Sequence, residues 1–218
     1  MYKSPIKKVQ KTQTVQYMKD EAVSKSDLTR QMILEKSAVL FNLQGYSGTS
    51  MKDIMNATGL SKGGLYGNFK TKEDIALAAY DQAVDTVWEE VKKRTKVIDH
   101  SLDKLKAVVY FYKERILDPP VEGGCPIQNT AIDADDGNPI LRDKVRNTVD
   151  NWRRNIVTNL ERGMKSGEVR LDCNASDFAI KFIGILEGGI MLSRLYKELH
   201  YFDVIAKQLI DLIEELRA

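Results

Sequence analysis

Cysteine and histidine are scarce in this 218-residue chain, with two of each. Cys125 and Cys173 stand far apart and form no C-x-x-C pair, and His100 and His200 are the remaining soft ligands. This argues against a disulfide scaffold and against a structural zinc site, so no metal and no cofactor are expected. Both cysteines are expected to be reduced, partly buried thiols. Cys125, in GGCP just ahead of a helix start, also occupies a place where a thiolate could be stabilised. Long apolar runs are missing as well. The longest, Phe178 to Tyr196, is broken by Lys181, Glu187 and Arg194, charges that are costly at the centre of a bilayer. The opening MYKSPIKKVQKTQTVQYMKDE is basic but has neither the apolar core nor the small-residue cleavage site of a secretory signal. No membrane partner and a cytoplasmic location are therefore expected. Finally, no run of alternating β-branched residues is bounded by turn signals, so the chain reads as all-α.

What is present is a hydrophobic fraction of 43%, enough to fill the core of one large domain or two small ones. The net charge of +2 is unevenly spread. Residues 1–25 hold six Lys against two acids, residues 26–75 hold six basic against five acidic side chains, and the remainder is slightly acidic. Such a gradient suits nucleic acid at the N-terminal end, although charge runs are most often plain solvated surface.

Helical periodicity fills the rest. A first helix spans Asp27 to Gln44 with Ile33, Ser37, Leu40 and Phe41 on one face, and Gly45 stops it. Ser50, with Asp53 three residues on, caps a second helix that ends at Thr58 before Gly59. Ser61 caps a third, from Lys62 to about Phe69. Thr71 and Asp74 cap a fourth, whose stripe runs Ile75, Ala79, Val84, Val87, Trp88, Val91. A fifth carries Leu102, Leu105, Val109, Tyr112 and Ile116 and is ended by Pro119 and Pro120. After the loop DPPVEGGCP come a short helix near Ile127 to Ala134 and a long one opened by Asn138 and Pro139 and closed by Gly167. Two strongly apolar helices, about Ala175 to Lys197 and Phe202 to Leu216, finish the chain. No repeat of 20 to 50 residues is present, which argues against a solenoid.

The segment GYSGTSMKDIMNATGLSKGGLYGNFKTKEDI, Gly45 to Ile75, packs two short helices around a tight glycine turn behind a longer brace. That unit can lay its second helix in a major groove. It closely resembles the DNA-binding head of TetR-family regulators through Gly45, Gly48, Thr49, Ser50, Ile54, Gly59, Ser61, Lys62, Leu65, Tyr66, Phe69, Lys72, Glu73 and Ile75. The resemblance implies a head at 26–75 with its helix-turn-helix at about 50–69 and an effector-binding and dimerisation domain at 76–218, while residues 1–25 extend beyond the minimal head as a basic arm reaching DNA, a disordered segment or a packing extension. Thr49 and Ser50 are expected to meet a phosphate or simply to cap. Lys62 and Gly63 open the recognition helix, where Lys62 reaches guanine or a phosphate. Tyr66 is expected to face DNA, since Leu65 and Phe69 already supply the inward side. Lys72 is expected to hold a phosphate, and Lys52, Ser61 and Asn68 complete the candidate set. Gly67 departs from the family's usual larger residue, which leaves three glycines in one short helix.

Beyond about Tyr80 the resemblance is architectural. It implies a small-molecule effector among the middle helices, with Phe111, Tyr112, Trp152, Phe178 and Phe182 as walls and Gln128 and Asn129 as polar anchors. These aromatics are equally well read as core. It also implies a homodimer through the last two helices, marked by Gly188, Gly189, Leu192, Leu209 and Ile213, and hence a palindromic double-stranded operator. The expected function is a repressor released from that operator by its effector. Two other classes fit these residues less well. An all-α enzyme needs a nucleophile with its base, a carboxylate pair or a metal cluster, and none stands at recognisable spacing; DADDGNP reads as a polar turn. A protein-binding adaptor has no reason to carry a DNA reader's motif.

Overall fold

A computed structural model describes residues 24–218 of the chain. The expected basic extension, residues 1–25, lies outside the described residues except for its last two positions. The described chain forms α1(Lys25–Gly48), α2(Met51–Thr58), α3(Lys62–Tyr66), α4(Lys72–Thr95), α5(Ser101–Arg115), α6(Pro126–Ala134), α7(Pro139–Ser166), α8(Ala175–Tyr196) and α9(Leu199–Glu214). The only pairing of strand type among these residues is an isolated bridge between Val169 and Arg217. The all-α expectation therefore holds.

Local chemistry sets most of the boundaries. Ser24, Ser50 and Thr71 each form a reciprocal capping box with an Asp three residues on, satisfying donors that a helix start leaves unpaired. Gly45 interrupts the helical run of α1 with φ 73 and ψ 171. A side chain there would be strained, and a Cβ would stand 2.7 Å from Asp133 Oδ1. α3 is shorter than expected, ending at Tyr66 rather than Phe69. The N–H groups of Asn68 and Phe69 both turn back to the Leu65 carbonyl, and the Thr71 cap leaves no room to continue.

Two cores result. Ile33, Ile54, Leu65, Phe69 and Ile75 form a small cluster that binds α1, α2, α3 and the start of α4. A much larger cluster runs through α5, α7, α8 and α9 and is entered from α4 by Ala79, Tyr80, Ala83, Val84 and Val87. α4 thus belongs to both, with its first turn in the head and its remainder in the body.

The last two helices correct part of the expected dimer face. Leu209 and Ile213 are fully buried inside this one chain. Gly189 is consumed by the packing of α8 on α9, since a Cβ there would lie 2.6 Å from Ile205 Cγ2. An apolar stripe on a helix marks burial but does not say whose surface buries it, and here the same chain does so. Leu192 is half-buried, whereas Gly184 and Gly188 open onto free space. The outward line of α8 is Ile180, Gly184, Gly188, Met191 and Leu195, with Val204 exposed on α9.

Candidate nucleic-acid interface

The helix pair α2 and α3 is held from below by the small core. Leu65 is 0% exposed and Phe69 3%, while Tyr66 is 43% exposed. The inward and outward assignments made from spacing are the observed ones. The outer surface of α3 is Ser61, Lys62, Gly63, Tyr66 and Gly67, followed by Lys70. Lys62 Nζ lies 5.9 Å from the Tyr66 ring, so an ammonium, a phenol and bare backbone at Gly63 share one face. Lys52 is exposed on α2. That combination offers a phosphate a cation and a hydroxyl, and offers base edges a ring and a long donor.

The serines are caps. Ser61 Oγ accepts from the Gly64 N–H at 3.2 Å, and Ser50 Oγ accepts from Asp53 N–H at 3.2 Å while donating to Asp53 Oδ2 at 2.6 Å. Those bonds from the Ser50 hydroxyl and N–H hold the Asp53 carboxyl below its ordinary value. Asn68 is also occupied: Nδ2 donates to the Gly64 carbonyl at 2.9 Å, bracing the glycine-rich turn.

Two expected phosphate contacts are corrected by the geometry. Thr49 is 1% exposed, and its hydroxyl donates inward to the Gly45 carbonyl at 2.8 Å. Lys72 Nζ donates to the carbonyls of Tyr46 at 2.8 Å and Thr49 at 3.0 Å, and stands 4.0 Å above the Tyr46 ring. A cation so engaged neutralises the carbonyl end of the α1 segment and locks the start of α4 to it. Sequence reasoning also missed Arg30. Its guanidinium stacks 3.9 Å over Phe69 and donates to the Asn68 carbonyl at 2.9 Å, tying α1 to the chain just after α3. No sequence signal announces that pairing, because the partners are 38 residues apart.

Behind the head, α6 fastens the body to α1. Asn42 Nδ2 donates to the Glu122 carbonyl at 2.8 Å, Asn129 Nδ2 donates to Asn42 Oδ1 at 2.9 Å and to the Gly123 carbonyl at 3.0 Å, and Asp133 Oδ2 accepts the Tyr46 N–H at 2.6 Å. Asn129 is therefore a structural tie rather than a pocket anchor. Gln128 is likewise spent, donating to the Glu187 carbonyl at 3.0 Å.

The expected pocket is redistributed. Phe111, Phe178 and Phe182 are buried in the large core, the last two with rings 5.9 Å apart, and Trp152 packs half-buried at its edge. Of the seven expected lining residues, Tyr112 alone borders either of two small cavities, one between α1, α4 and α6 and one between α5, α8 and the loop before α6. Each cavity is only about 20 Å³, room for roughly one water. They flank the Cys125–Pro126 step: one is bordered by Phe41, Tyr80 and Pro126, the other by Tyr112, Cys125 and Arg194.

At that step lies a polar group that the sequence did not single out. Cys125 Sγ donates to Glu187 Oε1 at 3.1 Å, while Glu187 Oε2 is buried without a partner. Burial pushes the Glu187 carboxyl up to about 7. Burial, and then the neighbouring Glu187 charge, raises the Cys125 thiol well above its ordinary value. The thiolate suggested by its place ahead of a helix is thus opposed by its surroundings.

With this geometry in view, the likeness to known proteins is informative. Residues 33–79 match the model for bacterial regulatory proteins of the tetR family, and residues 101–209 match the tetracyclin repressor-like C-terminal domain. The chain belongs to the TetR family. A TetR transcriptional regulator from Chloroflexus aurantiacus is 38% identical, with 88% of this chain and 98% of that one superposing at a TM-score of 0.85. A TetR-family regulator from Cytophaga hutchinsonii is 34% identical over 89% of this chain and 98% of its own, with a TM-score of 0.82. The TetR-family regulator CifR, solved as a cysteine mutant with a 26bp double-strand operator, shares the fold at 15% identity and TM-score 0.74, over 83% and 94% of the two chains. This TetR-family protein is accordingly a DNA-binding transcriptional regulator, and α2 with α3 is its helix-turn-helix. Among the described residues no helix is long and apolar enough to cross a membrane.

Proposed function

We propose that the protein is a homodimeric repressor that reads a palindromic operator with α3 and lets go of it when a small molecule enters the body. The observation that carries this reading is the outer face of α3, where Lys62, Gly63 and Tyr66 stand clear over a buried Leu65 and Phe69. Lys62 and Tyr66 contact base edges or the thymine methyl, and Lys52 and the exposed Ser50 cap meet the flanking backbone. Residues 26–75 act as the reading head and 76–218 as the sensing and pairing body.

The α8 line of Ile180, Gly184, Gly188, Met191 and Leu195 supports pairing through α8 and α9, because a second copy covers it and builds a four-helix bundle. Two-fold symmetry then sets the two α3 helices about 34 Å apart, facing successive major grooves. Met191→Glu leaves a folded monomer by light scattering, whereas substitution at Leu209 damages the fold itself.

Release follows from the α6 ties. The effector must favour one of two head spacings, since a ligand with equal affinity for both shifts nothing. Movement of α6 is transmitted through Asn129 to Asn42 and through Asp133 to Tyr46, and both reach α1. A mobility-shift titration against DNA flanking the protein's own gene tests the reading: saturable, salt-dependent binding is expected, and its absence overturns the assignment.

A further inference from the structure

Glu187 is chemically out of place. α8 carries it into the large core, where part of its stem remains accessible but its carboxylate is buried, one oxygen on the Cys125 thiol and the other on nothing. Among the described residues no salt bridge or hydrogen bond joins its carboxylate to a basic side chain. The Tyr80 hydroxyl, near Thr148, is also without a well-directed partner, and Tyr112 lies buried close by. A buried acceptor left unpaired is destabilising, so it persists where something else satisfies it.

A buried carboxylate near two phenols, with no cation bonded to it, is an environment that favours a protonated nitrogen. The ammonium gives charge-assisted bonds to the carboxylate and is attracted to the ring faces. The second cavity, edged by Arg115 and Arg194, repels such a ligand. The first, with Phe41, Ala79, Tyr80 and Ala83, suits an apolar or aromatic body.

We propose that Glu187, flanked by Tyr80 and Tyr112, is the recognition point for an effector that carries a protonated amine on an apolar body. The proposal rests on the effector-release reading and adds the ligand's chemical class. Arrival of the ammonium displaces the Cys125 thiol from Oε1. That frees the turn leading into α6, the same helix that holds Asn42 and Tyr46 of α1. Glu187 borders neither cavity as they stand, so entry from the first one requires the Cys125–Pro126 step to move aside.

Calorimetric titration of the full-length protein at about pH 8 with benzylamine and with benzyl alcohol tests this. Benzylamine is expected to bind saturably and about tenfold or more tighter than the alcohol. Glu187→Gln is expected to abolish that preference, and Cys125→Ala, which removes the competing thiol, to tighten the amine several-fold. A purely structural Glu187 gives no such tightening. Helix content by circular dichroism and melting temperature of the ligand-free variants, compared with wild type, certify their fold. Equal binding of the two probes, no binding of either, or an amine preference surviving Glu187→Gln overturns the proposal; in the second case a trapped water is what satisfies the carboxyl. Benzylamine bound at Glu187 without loss of operator affinity upholds the amine site and removes the release reading, so the two fail separately.

Discussion

The head and the body of this regulator are stabilised in different ways. In the head, five buried apolar residues suffice because almost every polar group at α2 and α3 is locally satisfied: Ser50 by Asp53, Ser61 by Gly64, Asn68 by Gly64. In the body, a core several times larger tolerates an unpartnered carboxyl oxygen at Glu187 and an unpartnered phenol at Tyr80. A surface that must match DNA gains from a fixed shape. On the proposed function, a core that responds to a ligand gains from polar groups whose best partner is absent until the ligand arrives, because that is a source of differential affinity between two states.

The sharpest way to break the comparison is to remove a central residue of the small core. Leu65→Ala is expected to cost about 2 to 5 kcal/mol and to abolish operator binding. Circular dichroism should retain most of the helix signal, since the body core does not depend on Leu65. If the whole chain unfolds as one unit at a lower temperature, the two cores are not separable.

Next comes Lys72. Its two carbonyl bonds predict that Lys72→Ala lowers thermal stability by about 1.5 to 3 kcal/mol, as for hydrogen bonds to a charged group. The salt slope of operator binding should stay the same. A slope reduced by about one unit with stability intact would mean that Lys72 holds a phosphate after all.

For Glu187 the sign follows from its raised value. The carboxyl is neutral in folded and unfolded chain alike below its ordinary 4.5, and is charged in both above about 7. The folded chain holds the proton more tightly, so stability falls as pH rises through that window. The Cys125, Tyr80 and Tyr112 groups near it are pushed upward and stay protonated there. Thermal melts of wild type minus Glu187→Gln should show the difference growing to about 1 to 3 kcal/mol in the variant's favour at the alkaline end. A difference independent of pH contradicts the burial of this carboxyl.

The smallest effect is at a cap. Ser50→Ala should cost about 1 kcal/mol of stability and weaken operator binding only modestly, which unfolding and binding curves on one preparation can separate.

What the sequence made legible follows the same division. Caps, glycine stops and the i to i+4 placement of Leu65 and Phe69 are short-range, and the head and its outward Tyr66 could be read from them. Four kinds of fact were not legible. Thr49 and Lys72 looked like phosphate ligands because a hydroxyl or ammonium advertises its chemistry but not its direction, and the partner carbonyls belong to the α1 kink. Asn129 looked like a pocket anchor because Asn42, its partner, is 87 residues away. Leu209 and Gly189 looked like dimer contacts because a stripe reports only that burial occurs. Glu187 passed as a charge interrupting an apolar run, and only the fold reveals that its carboxyl points into the core.

The central claim, that α3 reads DNA through its outer face, is tested most directly by fluorescence anisotropy of a labelled fragment from the protein's own upstream region. Wild type is titrated against Tyr66→Ala and Lys62→Ala, with thermal melts on the same samples. Each variant is expected to melt with the wild type and to weaken specific binding by about 1 to 3 kcal/mol, while binding to unrelated DNA changes far less. Both variants binding the fragment as tightly as wild type would contradict the account.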